Sequence, residues 1–233
     1  MGPRSPSTLL MLADGRLPSG GHAHSGGLEE AVRRGAVSDR SSLEAWLRGR
    51  LQTAGRVDAA FAAAAAHEAA ARRDGRPDRW DVLGAEAAAR LPSDAARRAS
   101  RAQGRGLLRA AVSAWPATWL RDLRAAEPSG PLWPLGLGAA AIAAGLEAPD
   151  AALLGASAAV QGPAWAVTRL LGLNPFDVAA VLAGLAGSVD AAARQAAGRA
   201  RAWPAVDLPA WGAPLSDIGA EIHATWEVRL FAS

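Results

Sequence analysis

Almost no stretch of this sequence alternates apolar with polar residues, and that absence removes the half-buried β-strand from the architectures open to it. In its place, helix-length segments rich in Ala, Leu, Arg and Glu recur between Gly and Pro breaks. The fold is therefore expected to be all-α, a single-domain helical bundle of about eight to ten helices over residues 1–233. A chain of 233 residues that is 50% hydrophobic has enough material for a sizeable core.

Local signals place the helices. A short one near Ser7 to Asp14 leads into the loop Arg16 to Gly21, and a second starts around Ser25 and stops at Gly35. Ser41 with Glu44 reads as a capping box before a helix that buries Leu43, Trp46, Leu47 and Leu51 and runs on, with a kink at Gly55, through the alanines to Ala71. A short helix follows near Trp80 to Arg90, and Pro92-Ser93-Asp94 opens a longer one to about Trp115. The clearest break is Glu127 to Pro131. Beyond it charges thin out, and the segments Leu135–Leu146, Asp150–Leu171 and Pro175–Arg201 read as core helices, the last opened by Asn174-Pro175. Residues 203–233 form a tail broken by Pro204, Pro209 and Pro214, with a short helix near Ser216 to Trp226.

Missing residue types narrow the chemistry. All 25 basic residues are Arg, and the chain has no Lys, Tyr or Cys. A Walker-type lysine, a Schiff base, a thiolate nucleophile and Cys-ligated zinc are all excluded. A pI of 10.9 suggests nucleic acid, yet the formal net charge is only +3 and no recognised binding motif frames the arginines, so no nucleic-acid partner is expected. The apolar run Leu9 to Ala13 is too short for a signal-peptide core, which points to the cytoplasm. Two uncharged stretches, Pro131–Leu146 and Ala151–Thr168, contain Pro and Gly and read as buried helices, with no membrane partner implied.

Each candidate site has a plain competitor. His67-Glu68 starts like a zinc-protease motif but the second His is absent, leaving a packing residue. Ser25 lies in a near miss to the nucleophile elbow, without the preceding strand, and reads as a helix cap. His22 and His24 could begin a metal site with Asp14, Glu29 or Glu30, but two ligands are an incomplete set. No catalytic residue, metal ligand set or cofactor is assigned. Arg97, Arg101, Arg105 and Arg109, with Arg98 alongside, form a ridge of like charge, to be matched by acids in the fold, on a sister subunit or on a partner, or else to remain a solvated face. The tail carries Trp203, Trp211, Trp226 and Phe231, more aromatic surface than so short a segment can bury alone. It must fold back or dock on another protein, and the Pro breaks suggest a mobile or loosely docked segment in the free protein.

Three blocks resemble one known family. The stretch Leu9 to Glu29, with Leu17-Pro18-Ser19-Gly20, then His22 and His24, then Ser25-Gly26-Gly27-Leu28-Glu29, resembles the opening block of the urease accessory proteins of the F type (UreF). Arg98 to Leu108 is similar to the family's middle helix, and His223 followed by Arg229-Leu230-Phe231-Ala232-Ser233 matches its ending. Departures are His22 and His24 where the family often has Tyr or Phe, Gly172-Leu173 for a Gly-Gln pair, and Ala224 for an acid. The resemblance implies a homodimeric, non-catalytic chaperone that joins a UreD/UreH-type accessory protein and a UreG-type GTPase to deliver nickel to apo-urease. It implies partner-binding roles for Leu17, Pro18, Gly20, His22, His24, Ser25, Gly27, Glu29, Arg98, Arg101, Arg105, His223, Trp226, Arg229, Leu230, Phe231 and Ser233. The classes left open beside it are a metal-dependent hydrolase using His22 and His24, and a helical ligand-binding regulator.

Overall fold

A computed structural model describes residues 5–200 and 205–232, and among these there is no strand. In chain order the helices are α1 (Pro6–Ala13), α2 (Leu28–Arg33), α3 (Arg40–Arg50), α4 (Arg56–Arg73), α5 (Trp80–Ala89), α6 (Asp94–Ala114), α7 (Thr118–Ala126), α8 (Trp133–Ala143), α9 (Ala148–Leu171), α10 (Pro175–Arg199) and α11 (Pro214–Ala224). A wide π turn, Leu51–Gly55, joins α3 to α4, and the backbone stays right-handed through both joints, so the two form one rod. The expected continuation past Gly55 is thus present, carried by the π turn. The all-α expectation holds.

Caps fall where short polar side chains meet free N–H groups. Ser93 Oγ accepts from the Ala96 N–H and Asn174 Oδ1 from the Phe176 N–H. The capping box of α3 is displaced from the expected Ser41 and Glu44: Asp39 accepts from the Ser42 N–H at 2.8 Å, and Ser42 Oγ accepts from the Asp39 N–H at 3.0 Å. Asp39 can do this because its backbone is extended, whereas Ser41 already lies inside the helix.

The alanines make α4 the centre of the molecule. α8, α9 and α10 pack around it, and Ala59 to Ala66 are buried with Phe61. Side chains this small let backbones approach until Gly is the only residue that fits. A Cβ on Gly138 of α8 would strike the Ala62 carbonyl and lie 2.7 Å from Ala65 Cβ, and one on Gly155 of α9 would lie 3.0 Å from Ala59 Cα. Both uncharged stretches weighed for a membrane are core helices here. Among the described residues α10 is the one helix long and apolar enough to cross a membrane, with 33% of that stretch buried.

Replacing Gly138 by Ala should therefore lower stability by about 1–3 kcal/mol through overpacking, read as a lower urea midpoint at unchanged slope. Gly184 on α10 has open space around its Cβ position, so Gly184→Ala should instead raise stability by about 0.5–1 kcal/mol.

Candidate functional site

The middle block acts as a clamp. Gly104 and Gly106 on α6 leave room for other backbone: a Cβ on Gly106 would lie 2.7 Å from the Ser19 carbonyl oxygen, and one on Gly104 would run into Pro131. The loop that carries Leu17 to Gly20 thus rests on α6 opposite the turn at residues 127–132. Arg101 grips that turn through Glu127 Oε2 and the Gly130 carbonyl, both at 2.6 Å, and Arg105 donates to the Ser129 carbonyl at 2.6 Å. Ser100 Oγ accepts from the Trp133 N–H. The arginine ridge is therefore not one surface. Arg97 donates to the Leu91 and Pro92 carbonyls and pairs with Asp94, Arg98 pairs with Asp94, and Arg109 is exposed. Much of the expected acidic match lies within the fold, at Glu127 and Asp94.

The first and last blocks meet on one carboxylate. Glu29, at the start of α2, has its own N–H bonded to Ser25 Oγ at 3.2 Å. Its Oε1 accepts from the Leu230 N–H at 2.8 Å, and its Oε2 from the Phe231 N–H at 3.0 Å, with His223 Nε2 at 2.9 Å. Next to these contacts the Ala232 N–H donates to the Ala23 carbonyl at 2.7 Å. Arg169 lies over the Phe231 ring at 4.3 Å and Arg33 over Trp226 at 4.1 Å, and Trp226 tilts against His223. Burial by itself raises the pKa of Glu29. The hydrogen bonds from His223, Leu230 and Phe231 outweigh it and hold the carboxyl below its ordinary value. Its contribution is then complete above the usual glutamate range and lost as the pH falls below it.

Ser25, Glu29, His223 and Phe231 are buried, with Phe231 only 4% exposed. Glu29, His223 and Phe231 join the two ends of the chain, and Ser25 holds the Glu29 N–H from behind. The described part of the tail is docked on the body, and the neighbours that Phe231 lacks within the tail come from α2 and α9. Leu17, Gly20, His24, Gly27 and Trp226 are partly buried, and Pro18, Arg98, Arg105, Arg229 and Leu230 are exposed. Arg101 is half-buried against Glu127 rather than a free ridge position. The side chain of His22, Trp203 and Ser233 lie outside the described residues. Among the described residues no group of three or more His, Asp or Glu could hold a metal ion.

Several residues that organise the site went unnoticed in the sequence. Arg50 runs inward and donates from Nε to the Ala159 carbonyl at 3.0 Å. Its guanidinium lies beneath Gly26, whose φ of +61° and close contacts with Arg50 and Pro163 leave no space for a side chain. Arg90 donates to the carbonyls of Ala205, Val206, Leu208 and Pro209. Glu221 of α11 accepts from Ser93 Oγ at 2.6 Å and the Ala95 N–H at 2.9 Å, at the positive end of α6. The available signals were Pro163 inside a helix and the N-terminus of α6, but neither names its partner.

Between the N-terminal loop, α9 and the tail lies a partly enclosed cavity of about 760 Å³. Arg50, Asp58, His24, Trp133, His223 and Phe231 are in its wall. Burial pushes the Asp58 carboxyl up to about 6, against the opposing pull of the Arg50 charge.

Comparison with known proteins adds identity to this geometry. A family model described as UreF matches residues 37–186. The chain is 42% identical over 230 residues to the urease accessory protein UreF of Mycolicibacterium vanbaalenii, covering 98% of this chain and 99% of that protein. It is 44% identical over 228 residues to the UreF of Mycobacterium sp. (strain JLS), covering 97% and 98%, and 42% identical over 226 residues to that of Mycobacterium marinum, covering 97% of each.

Two outcomes follow from the charges. Arg101→Glu should destabilise the fold by about 2 kcal/mol or more, because it removes two charge-assisted bonds and sets an acid against Glu127; Arg109→Glu should change stability by less than about 0.5 kcal/mol in the same denaturation assay. Asp58 has its folded pKa raised, so the stability it contributes is full below the unfolded value of 3.8 and is lost as the pH rises through about 6. Asp58→Asn should thus be more stable than the parent at pH 7.5, by about 1 kcal/mol or more, with the difference vanishing near pH 4 in thermal melts.

Proposed function

The chain belongs to the UreF family of urease accessory proteins, and from that membership we propose that it is a non-catalytic scaffold joining a UreD/UreH-type accessory protein to a UreG-type GTPase during nickel insertion into apo-urease. The chain works as a single domain, as a homodimer, in the cytoplasm. A Lys-free chain has no P-loop lysine, so nucleotide hydrolysis belongs to the GTPase partner. Nickel is cargo in this reading rather than a resident cofactor.

One observation carries the docking role. α11 is amphipathic in the wrong sense for a helix at rest on a body: Gly219 and His223 face inward, while Leu215, Ile218 and Ile222 are 64%, 57% and 46% exposed. Leu230 and Val228 extend the apolar surface past the helix end. A ridge of large apolar side chains held outward by polar contacts favours an apolar groove on another protein, and the UreD/UreH-type protein is the partner we assign to it. Of the expected anchors, Leu230 belongs to this surface, with Trp226 at its edge and Arg229 beside it.

The test is co-purification of the accessory proteins and urease with a variant carrying Leu215→Asp, Ile218→Asp and Ile222→Asp. These exposed changes should each alter the stability of the isolated chain by about 0.5 kcal/mol or less, while the UreD/UreH-type protein is lost from the complex and urease remains nickel-poor. Retention of the complex with fully loaded urease would overturn the assignment.

A further inference from the structure

The apolar ridge leaves open what holds α11 in place. Among the large apolar side chains of residues 214–232, only Phe231 is buried, and Leu215, Ile218, Ile222, Val228 and Leu230 are all exposed. The helix packs chiefly against α2 and α6, and its inward positions are small or polar. Its attachments are correspondingly polar: Glu29 receives His223, Leu230 and Phe231, Glu221 reaches Ser93 and Ala95, and Ala232 reaches Ala23.

The segment just before it is held differently. Ala205, Leu208 and Pro209 are buried and their carbonyls are fixed by Arg90. Between the fixed root and α11 runs exposed coil, Ala210 to Gly212, with Trp211 facing the guanidinium groups of Arg56 and Arg199 at 4.9 and 5.5 Å. Ser216, Asp217, Ala220, His223 and Phe231 form the tail's wall of the cavity, and Arg50 and Asp58 line the body's side.

We propose that residues 214–232 are a hinged cover over this cavity, pivoting on residues 210–213 and latched by the Glu29 carboxylate, and that the cover opens as a unit while the helical body stays folded. The physical basis is the unequal way the two parts are held. The body is joined by close Ala and Gly packing along whole helices, whereas the cover depends on a few hydrogen bonds, three of them on the single Glu29 carboxylate, the kind of element that opens sub-globally. This inference concerns the isolated chain and does not depend on which partner α11 meets, so its failure would leave the docking assignment standing, and the reverse.

Hydrogen exchange on the full isolated chain tests it. Glu29→Gln keeps the side-chain volume and removes the charge that three donors share; amide exchange across residues 214–232 should quicken by about tenfold or more, with exchange in α4, α8 and α9 changed less than about twofold. An environment-sensitive apolar dye should then enter the cavity. His223→Leu, which removes one donor, should show a smaller change in the same direction and gives the reading if Glu29→Gln does not fold. Because the chain has no cysteine, Ala23→Cys with Ala232→Cys can pin the cover when oxidised; oxidation in the Glu29→Gln background should restore slow exchange and expel the dye. Unchanged exchange in 214–232 would show that Glu29 is not the latch. Acceleration of α4, α8 and α9 together with the tail would show that the tail is part of the core, and an open tail without dye entry would show that it covers nothing.

Discussion

Pro163 has no N–H to offer, so the Ala159 carbonyl one turn earlier in α9 loses its helical donor. Arg50 supplies the missing hydrogen bond, and much of the site follows from it. To reach α9 the guanidinium must leave a rod that continues as α4, and the π turn directly after Arg50 brings Gly55 so near α9 that a Cβ there would lie 3.0 Å from Ala159 Cβ. The first loop then lies over the Arg50 side chain at Gly26, where a positive φ turns the chain toward α2 and sets Glu29 in place. A single proline in α9 thus specifies a cation on α3, a glycine in the loop and the position of the carboxylate that receives the tail.

The same economy of side-chain size shapes the interior. Helices that touch through Ala and Gly gain little apolar area per residue and depend on close contact over long lengths, which is why α8, α9 and α10 all lie along α4. Among the large aromatic side chains, Phe61 is buried within the alanine run and others lie around it. Trp133 and Phe231 lie around the cavity, Trp115 and Trp119 against the outer face of the core, and Trp80 is buried at the start of α5. The cavity's wall holds both Arg50 and Asp58.

What could be read from the sequence divides by distance along the chain. Asn174-Pro175, Ser93 and the run from α3 into α4 were legible because each is decided within one or two turns. The capping box of α3 was misplaced by two residues because Asp39 and Ser41 both offer an oxygen and only the backbone of Asp39 is extended. The tail's fate was not legible: the partners of Leu230 and Phe231 stand about 200 residues away, and no local rule distinguishes an aromatic that folds back from one that waits for a partner. The partner of Arg101 was not legible for the same reason, since its match to Glu127 crosses a turn of unknown geometry. The three motif blocks could be recognised singly, but that two of them are halves of one hydrogen-bonded junction could not.

That junction also accounts for the form of the blocks. Ser25 holds the N–H of Glu29 while Leu28 is fully buried beside it, so the carboxylate has little freedom left when it meets the tail. On the other side, the Leu230 and Phe231 amides can both reach it only if the chain turns sharply after α11, and the burial of Phe231 under Arg169 fixes that turn. His223 completes the set from the last turn of α11, where the ring also meets the Trp226 ring at a tilt. A helix tied at its end through three donors to one carboxylate is oriented without using its apolar face, so Leu215, Ile218 and Ile222 remain exposed. Holding α11 by hydrogen bonds rather than by hydrophobic burial is what makes an outward apolar face compatible with an ordered tail.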